Sequence, residues 1–129
     1  MKIAVPMERD PAESRVAATP ETVKKFAGLG LEVVVETGAG LKSRITDDDY
    51  AAAGAKIAGS AAEAVAGADI IVKVRRPTAD EVGAYKSGAV VAAIMDPWGQ
   101  HEAVGAMAKA GLSAFAMEFM PRITRAQVM

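Results

Sequence analysis

Short apolar runs and longer mixed stretches alternate along the chain, with a glycine at each changeover. Gly30 precedes EVVV, Gly54 precedes AKIA, Gly67 precedes ADIIVKV, Gly88 precedes AVVAAIM and Gly111 precedes LSAFAM. A glycine just past a helix takes the left-handed conformation that closes it, and a strand soon afterwards makes a short connection. The helix starts carry matching signals. Ser60-Ala-Ala-Glu63 and Thr78-Ala-Asp-Glu81 have capping-box spacing, and Thr19 stands ahead of Pro20 at a first helical position. Thr46 is followed by Asp47, Asp48 and Asp49, acid suited to a helix N-terminus. Val23, Phe26 and Ala27, and again Val104, Met107, Ala108 and Gly111, recur at helical spacing and give each helix one face for a sheet. The strand runs are continuously apolar, which predicts a parallel sheet covered on both faces. The pattern therefore predicts an open, three-layer α/β fold with a mostly parallel sheet of about six strands and helices on both faces. The strands are expected at residues 1–6, 32–36, 56–58, 69–75, 89–95 and 112–120.

Ligands of such sheets bind beyond the carboxyl ends of the strands. Those ends collect Glu8 and Arg9, Glu36 and Thr37, Lys73, Arg75 and Arg76, residues 96–100, and Arg122, with Arg15 in the first loop. A rim rich in cations suits a carboxylate or phosphate, although loop charges are ordinarily solvated. Lys73 differs, because it lies inside IIVKV, where a strand buried on both faces leaves a lysine in need of a partner or a purpose. TGAGLKS, residues 37–43, matches neither phosphate-loop pattern and reads as a flexible loop, with the next helix beginning near Thr46. His101 is the only histidine, so no histidine pair can bind metal, and a capping or surface role at the start of the fifth helix is expected.

Composition narrows the picture further. The 129 residues suffice for one domain with its own core. Fifteen Lys plus Arg against sixteen Asp plus Glu give a net charge of -1, which offers nucleic acid or an anionic membrane no general attraction. With no cysteine, disulfides and thiolate chemistry are excluded. The opening MKIAVPMERD is too short an apolar run for a secretory signal, and no segment approaches the roughly 20 apolar residues that cross a bilayer. A soluble chain that does not itself insert into membrane is expected.

MKIAVPMERDPAESRVAATPETVKKF, VETGAG, IIVKVRRP and MEFMPRITRAQ together resemble the N-terminal segment shared by alanine dehydrogenases and the NAD-binding alpha subunits of proton-translocating NAD(P) transhydrogenases. The resemblance implies a flavodoxin-like first domain of a two-domain dehydrogenase-like architecture. It places that domain at residues 1–121, and reads residues 122–129 as the start of a crossover into a Rossmann domain that these residues do not include. In the alanine dehydrogenase branch an arginine and a lysine matching Arg15 and Lys73 hold the substrate carboxylate, and a histidine serves as acid/base. The matching position for that histidine falls near Ile94 or Met95. In the transhydrogenase branch Arg122 and Gln127 match cofactor-binding residues beside the nicotinamide of NAD(H), and a matching aspartate would be residue 130. PRITRAQ and the absent histidine both favour the transhydrogenase branch.

That branch implies hydride transfer between NAD(H) and NADP(H), the latter held on a partner subunit or domain, coupled to proton translocation. It also implies a homodimer, membrane and NADP(H)-binding partner subunits, and a cytoplasmic position at the inner face of the plasma membrane. The 129-residue chain by itself is expected to be inactive, with no catalytic residue of its own and Arg15 and Lys73 as an anion or substrate site. The alternatives are an alanine dehydrogenase-like oxidoreductase and a non-enzymatic interaction or dimerisation domain.

Overall fold

In the computed structural model, which describes residues 1–95 and 101–117 (101–103 by backbone alone), six parallel strands form one sheet in the order β3-β2-β1-β4-β5-β6. The strands are β1 Lys2–Val5, β2 Glu32–Glu36, β3 Lys56–Ala58, β4 Ile70–Arg75, β5 Val90–Ile94 and β6 Ser113–Ala116. All six fall within the ranges the apolar runs predict. The helices are α1 Pro20–Gly28, α2 Asp47–Ala52, α3 Ala61–Val65, α4 Ala79–Val82 and α5 His101–Lys109.

The caps form largely as the sequence requires. Thr19 caps α1 ahead of Pro20. Thr46 with Asp49, and Thr78 with Glu81, make complete capping boxes. At α3 only half of the box forms: Ser60 accepts from Glu63 N, but the Glu63 carboxylate accepts from Gly59 N instead of Ser60 N. All five changeover glycines have positive φ, so each closes its preceding segment in the left-handed region.

Right-handed crossovers explain the layers. From β1 the chain winds outward to β3, which puts α1 and α2 on one face, where Val23 and Tyr50 pack on Ile3, Val5, Val33 and Val35. From β4 it winds outward the other way. Val65, Val82, Tyr85 and Met107 accordingly pack on Ala4, Ile71, Val91 and Ala93 across the opposite face. α3 makes the return crossing on that second face, over Val34 and Ala58.

Two helical stripes differ in phase from the sequence expectation. Ala27 is exposed, and α1 packs through Val23 and Phe26. In α5 Val104 and Ala108 are exposed, and Met107 carries the packing with Ala110 and Leu112 behind it. Each of these nine-residue helices meets the sheet through a narrow stripe, so the outer apolar positions stay at the surface.

Residues 37–43 are a built turn and not the flexible loop expected of them. Leu41–Ser43 form a single 3-10 turn closed by Arg44 at φ 61°. The Asp47 carboxylate accepts from Gly38 N at 2.9 Å and from the Thr37 hydroxyl at 2.5 Å. The Ser43 hydroxyl donates to Ser14 O at 2.6 Å, tying the turn to the first loop. A Cβ on Gly40 would meet Ile45 Cβ and Tyr50 Cε2 at 2.8 Å, so glycine is needed here for close approach. Among the described residues no helix is long and apolar enough to cross a membrane.

Candidate functional site

The strand order reverses direction between β1 and β4, and in open α/β sheets the crevice beyond the carboxyl ends at such a point is the usual ligand seat. A cleft of about 350 Å³ lies there. Glu8, Arg9 and Asp10 line it from the loop after β1, Lys73, Arg75 and Arg76 from the end of β4, Thr78 and Glu81 from the start of α4, and Ile94 and Met95 from β5.

The buried groups at this edge are mainly acidic. Glu8, Glu13 and Glu36 are each at most 5% exposed, as is Lys73. β1 stops at Val5, and its pairing with β4 reaches only Ile71, so the backbone of β4 beyond that point lacks a neighbour on this side. Glu8 takes over that role. Its carboxylate accepts from Val74 N at 3.0 Å and from Arg75 N at 2.9 Å, where the β4–β5 register also slips. Beside it stands Lys73, whose ammonium is 3.8 Å from Glu8 and donates to Glu81 at 2.9 Å. The partner that a strand-end lysine requires is thus supplied twice.

Arg15 does not reach Lys73 directly. It forks onto Glu13, through Nε at 2.8 Å and Nη2 at 2.9 Å, and Arg75 Nε joins the same carboxylate at 2.8 Å. The Arg15 guanidinium and backbone, helped by Arg75, hold the Glu13 carboxyl far below the usual carboxylate range. Glu13 in turn raises Arg15 above its ordinary value. Glu36 fixes the other side of the loop, accepting from Met7 N at 2.9 Å and from Arg9 Nη2 at 2.6 Å. Arg76 Nη1 donates to Met95 O at 2.6 Å and ties the β4 end to the β5 end. The rim expected to be cationic is therefore an interleaved network, in which the buried carboxylates of Glu8, Glu13 and Glu36 each have cations or backbone amides beside them, as buried charge requires.

Tyr85, 9% exposed, lines a separate pocket with Pro6, Val65 and Glu81, and its hydroxyl has no hydrogen-bond partner among the described residues. Burial first, then the charges of Glu81 and Glu8, push its ionisation above the ordinary tyrosine value.

Of the sequence-derived candidates, Lys73 lines the cleft and Arg15 joins the same network through Glu13 and Arg75. Arg122 and Gln127 lie outside the described residues, as does the proposed domain boundary. Sequence reasoning misses the organising role of Glu8, Glu13 and Glu81; the only available signal is the position of the first two in the loop after a strand. Ile94 and Met95, which close the β5 side, have no titratable group.

No phosphate seat is evident among these residues. The amide of Gly38, in the one glycine-rich turn after a strand, is already taken by Asp47, and no described group of His, Asp and Glu could hold a metal ion. The described residues alone thus do not fit a dinucleotide's phosphates.

Comparison with known proteins places this arrangement. An NAD(P) transhydrogenase alpha-subunit protein of Rhodospirillum rubrum is 51% identical over 134 residues, an alignment covering 100% of this chain and 35% of that protein. The crystal structure of transhydrogenase from Sinorhizobium meliloti superposes with a TM-score of 0.92 at 58% identity, covering 98% of this chain and 38% of that one. Alanine dehydrogenase of Mycobacterium tuberculosis (strain ATCC 25618 / H37Rv) is 35% identical over 118 residues, 92% of this chain and 32% of that protein. The chain thus spans about a third of the length of each of these relatives. The family described as alanine dehydrogenase/PNT, N-terminal domain, matches residues 4–129, and the chain belongs to it.

Proposed function

We propose that this chain is the N-terminal portion of the alpha subunit of an NAD(P) transhydrogenase, in which hydride passes between NAD(H) and NADP(H). The observation that carries this reading is the β5 side of the cleft. Oxidation of an amino acid to an oxo acid needs a group that takes up and returns protons. Ile94 and Met95 can do neither, and the nearby carboxylates are committed to backbone amides, lysine and arginine. Transfer of hydride from one nicotinamide to another moves no separate proton, and so needs no base in this domain. The higher identity to the transhydrogenase relative than to the alanine dehydrogenase supports the same choice.

In this reading the chain forms one wall of a site completed by residues that the longer relatives carry. Arg122 and Gln127 orient the nicotinamide end of NAD(H), and the pyrophosphate is held elsewhere, at a helix N-terminus these residues do not supply. NADP(H) sits on a partner subunit. The assembled protein is a homodimer, joined to membrane subunits that move protons and lying at the cytoplasmic face. The Arg15–Glu13–Arg75 and Lys73–Glu8–Glu81 groups fix the loops of the wall, and an anion that enters the cleft has to share cations with these carboxylates.

The test uses a chimera in which this chain replaces the matching third of the Rhodospirillum rubrum relative. NADH is titrated calorimetrically into the chimera and into the 129-residue chain. Binding by the chimera alone is expected, and Arg122→Ala should weaken it on the order of tenfold, the worth of one charge-assisted hydrogen bond. Binding by neither would refute the reading. NADH oxidation by the chimera that depends on added pyruvate and ammonia would transfer it to the alanine dehydrogenase branch.

A further inference from the structure

We propose that the slot between α3 and α4 binds a small, neutral, mainly apolar molecule whose one hydrogen-bond acceptor meets the Tyr85 hydroxyl. The slot has a volume of about 260 Å³ and is separate from the cleft already described. Pro6 lies just past β1 in its wall, beside Ala61, Ala62 and Val65 from α3 and Ala84 and Tyr85 just after α4. The topology opens it. α3 recrosses the sheet over Val34 and Ala58, whereas Val82 of α4 and Tyr85 pack with Ile71 and Val91 on the far side of β1. Between the two helices stand alanines, too small to close the gap.

Tyr85 gives the slot its chemistry. A buried tyrosine ordinarily sets its hydroxyl on a partner, and an orphaned hydroxyl costs stability. This one has no partner among the described residues and is closed to bulk water, so a ligand meets it at the inner end of the slot. A lone water is a poor substitute, because a buried water needs several polar partners. The side chains of Pro6, Val65 and the alanines offer none, and the Glu81 carboxylate already accepts from Lys73 Nζ at 2.9 Å and Thr78 N at 3.1 Å. Burial, then the charges of Glu81 and Glu8, keep the hydroxyl protonated at neutral pH. It is a donor without an acceptor.

Charge and size limit the ligand. Asp80 and Glu81 line the slot and no basic residue does, so an anion is repelled. A full positive charge would lose its water against Pro6, Val65 and the alanines. A neutral molecule remains. By the measure of an apolar cavity of about 150 Å³ that holds benzene, the slot takes on the order of ten non-hydrogen atoms. Glu81 also lines the cleft, so a ligand in the slot lies against the side chain that holds Lys73 there.

The test involves no nucleotide, so its outcome is independent of the NADH titration. Acetophenone, α-methylstyrene and benzoate share one ring and the same number of heavy atoms. The first offers a neutral acceptor, the second has a methylene in place of the carbonyl oxygen, and the third carries a charge. Each is titrated into the 129-residue chain and into the chimera, with the alanine methyl resonances followed by NMR. Saturable shifts centred on Ala61, Ala62 and Ala84 are expected in both proteins, with acetophenone about tenfold tighter than α-methylstyrene and benzoate without effect. Tyr85→Phe should weaken acetophenone to the level of α-methylstyrene, leave the latter unchanged, and not lower the Tm, because the hydroxyl it removes is unsatisfied. Ala62→Leu, on the exposed side of α3, should fill the slot and abolish binding while the helix is kept. The absence of acetophenone binding, or equal affinity with and without the Tyr85 hydroxyl, would overturn the proposal. A lower Tm for Tyr85→Phe would show that the hydroxyl already has a partner, and binding by the 129-residue chain that is lost in the chimera would show that further chain fills the slot; either result overturns it as well.

Discussion

Glu8 and Lys73 exchange roles between sequence and structure. The need of Lys73 for a partner is legible in the sequence, because a lysine at a buried strand end is costly alone. The identity of the partners is not: Glu81 lies one helical turn into α4, and Glu8 bonds the backbone 66 residues away. Glu8→Gln should destabilise the chain by about 3 kcal/mol in urea denaturation, since it removes a buried charge from an ion pair and turns one acceptor oxygen into a donor facing an amide. Lys73→Met should cost less, because Glu8 keeps both backbone amides and Glu81 reaches solvent. A larger loss at Lys73 would mean that the ammonium, and not the carboxylate, organises this edge. Glu13 makes a second prediction. Its folded-state pKa is lowered from an ordinary 4.5 by Arg15 and then Arg75, so the folded state holds fewer protons than the unfolded one. The stability it contributes is fully present above pH 4.5 and is lost as pH falls below it toward the lowered value. Glu13→Gln should therefore reduce stability at neutral pH and flatten the acid limb of a Tm-against-pH curve; an unchanged acid limb would contradict the assignment.

Among the elements, strands and caps are the most legible. β-branched runs after glycine specify strands through local packing, and Thr46, Thr78 and Thr19 specify helix starts through bonds within a few residues. The segment 37–43 reads wrongly from sequence because its order comes from elsewhere. Asp47, Ser14, Ile45 and Tyr50 hold it, and no rule of spacing brings them together. Gly40→Ala should lower stability by about 1–3 kcal/mol, the usual cost of overpacking, because the added methyl meets two side chains and the Ile45 carbonyl. A neutral Tm would show that the turn can shift. The Tyr50 hydroxyl beside it donates to Ala18 O at 2.7 Å, and its burial, then Asp47, push its pKa up to about 12. Removing it in Tyr50→Phe should cost about 1–2 kcal/mol by leaving that carbonyl unsatisfied. The phase of α5 escapes the sequence for a related reason: apolar spacing alone does not say which of its positions the sheet takes.

At the scale of the molecule, the strand count and the parallel sheet can be read from the chain because apolar periodicity and helix punctuation are local properties. The same holds for the family, since ESRVAATP and PRITRAQ are contiguous and specific. Strand order, and with it the position of the cleft, came only from the tertiary structure, because the reversal between β1 and β4 depends on which strands pair and not on what any strand contains. Charge followed the same division. Sequence determined that the rim holds Arg9, Arg15, Lys73 and Arg75, but folding decided that Glu8, Glu13, Glu36 and Glu81 would meet them, since a carboxylate taken out of water needs an opposite charge or an amide beside it.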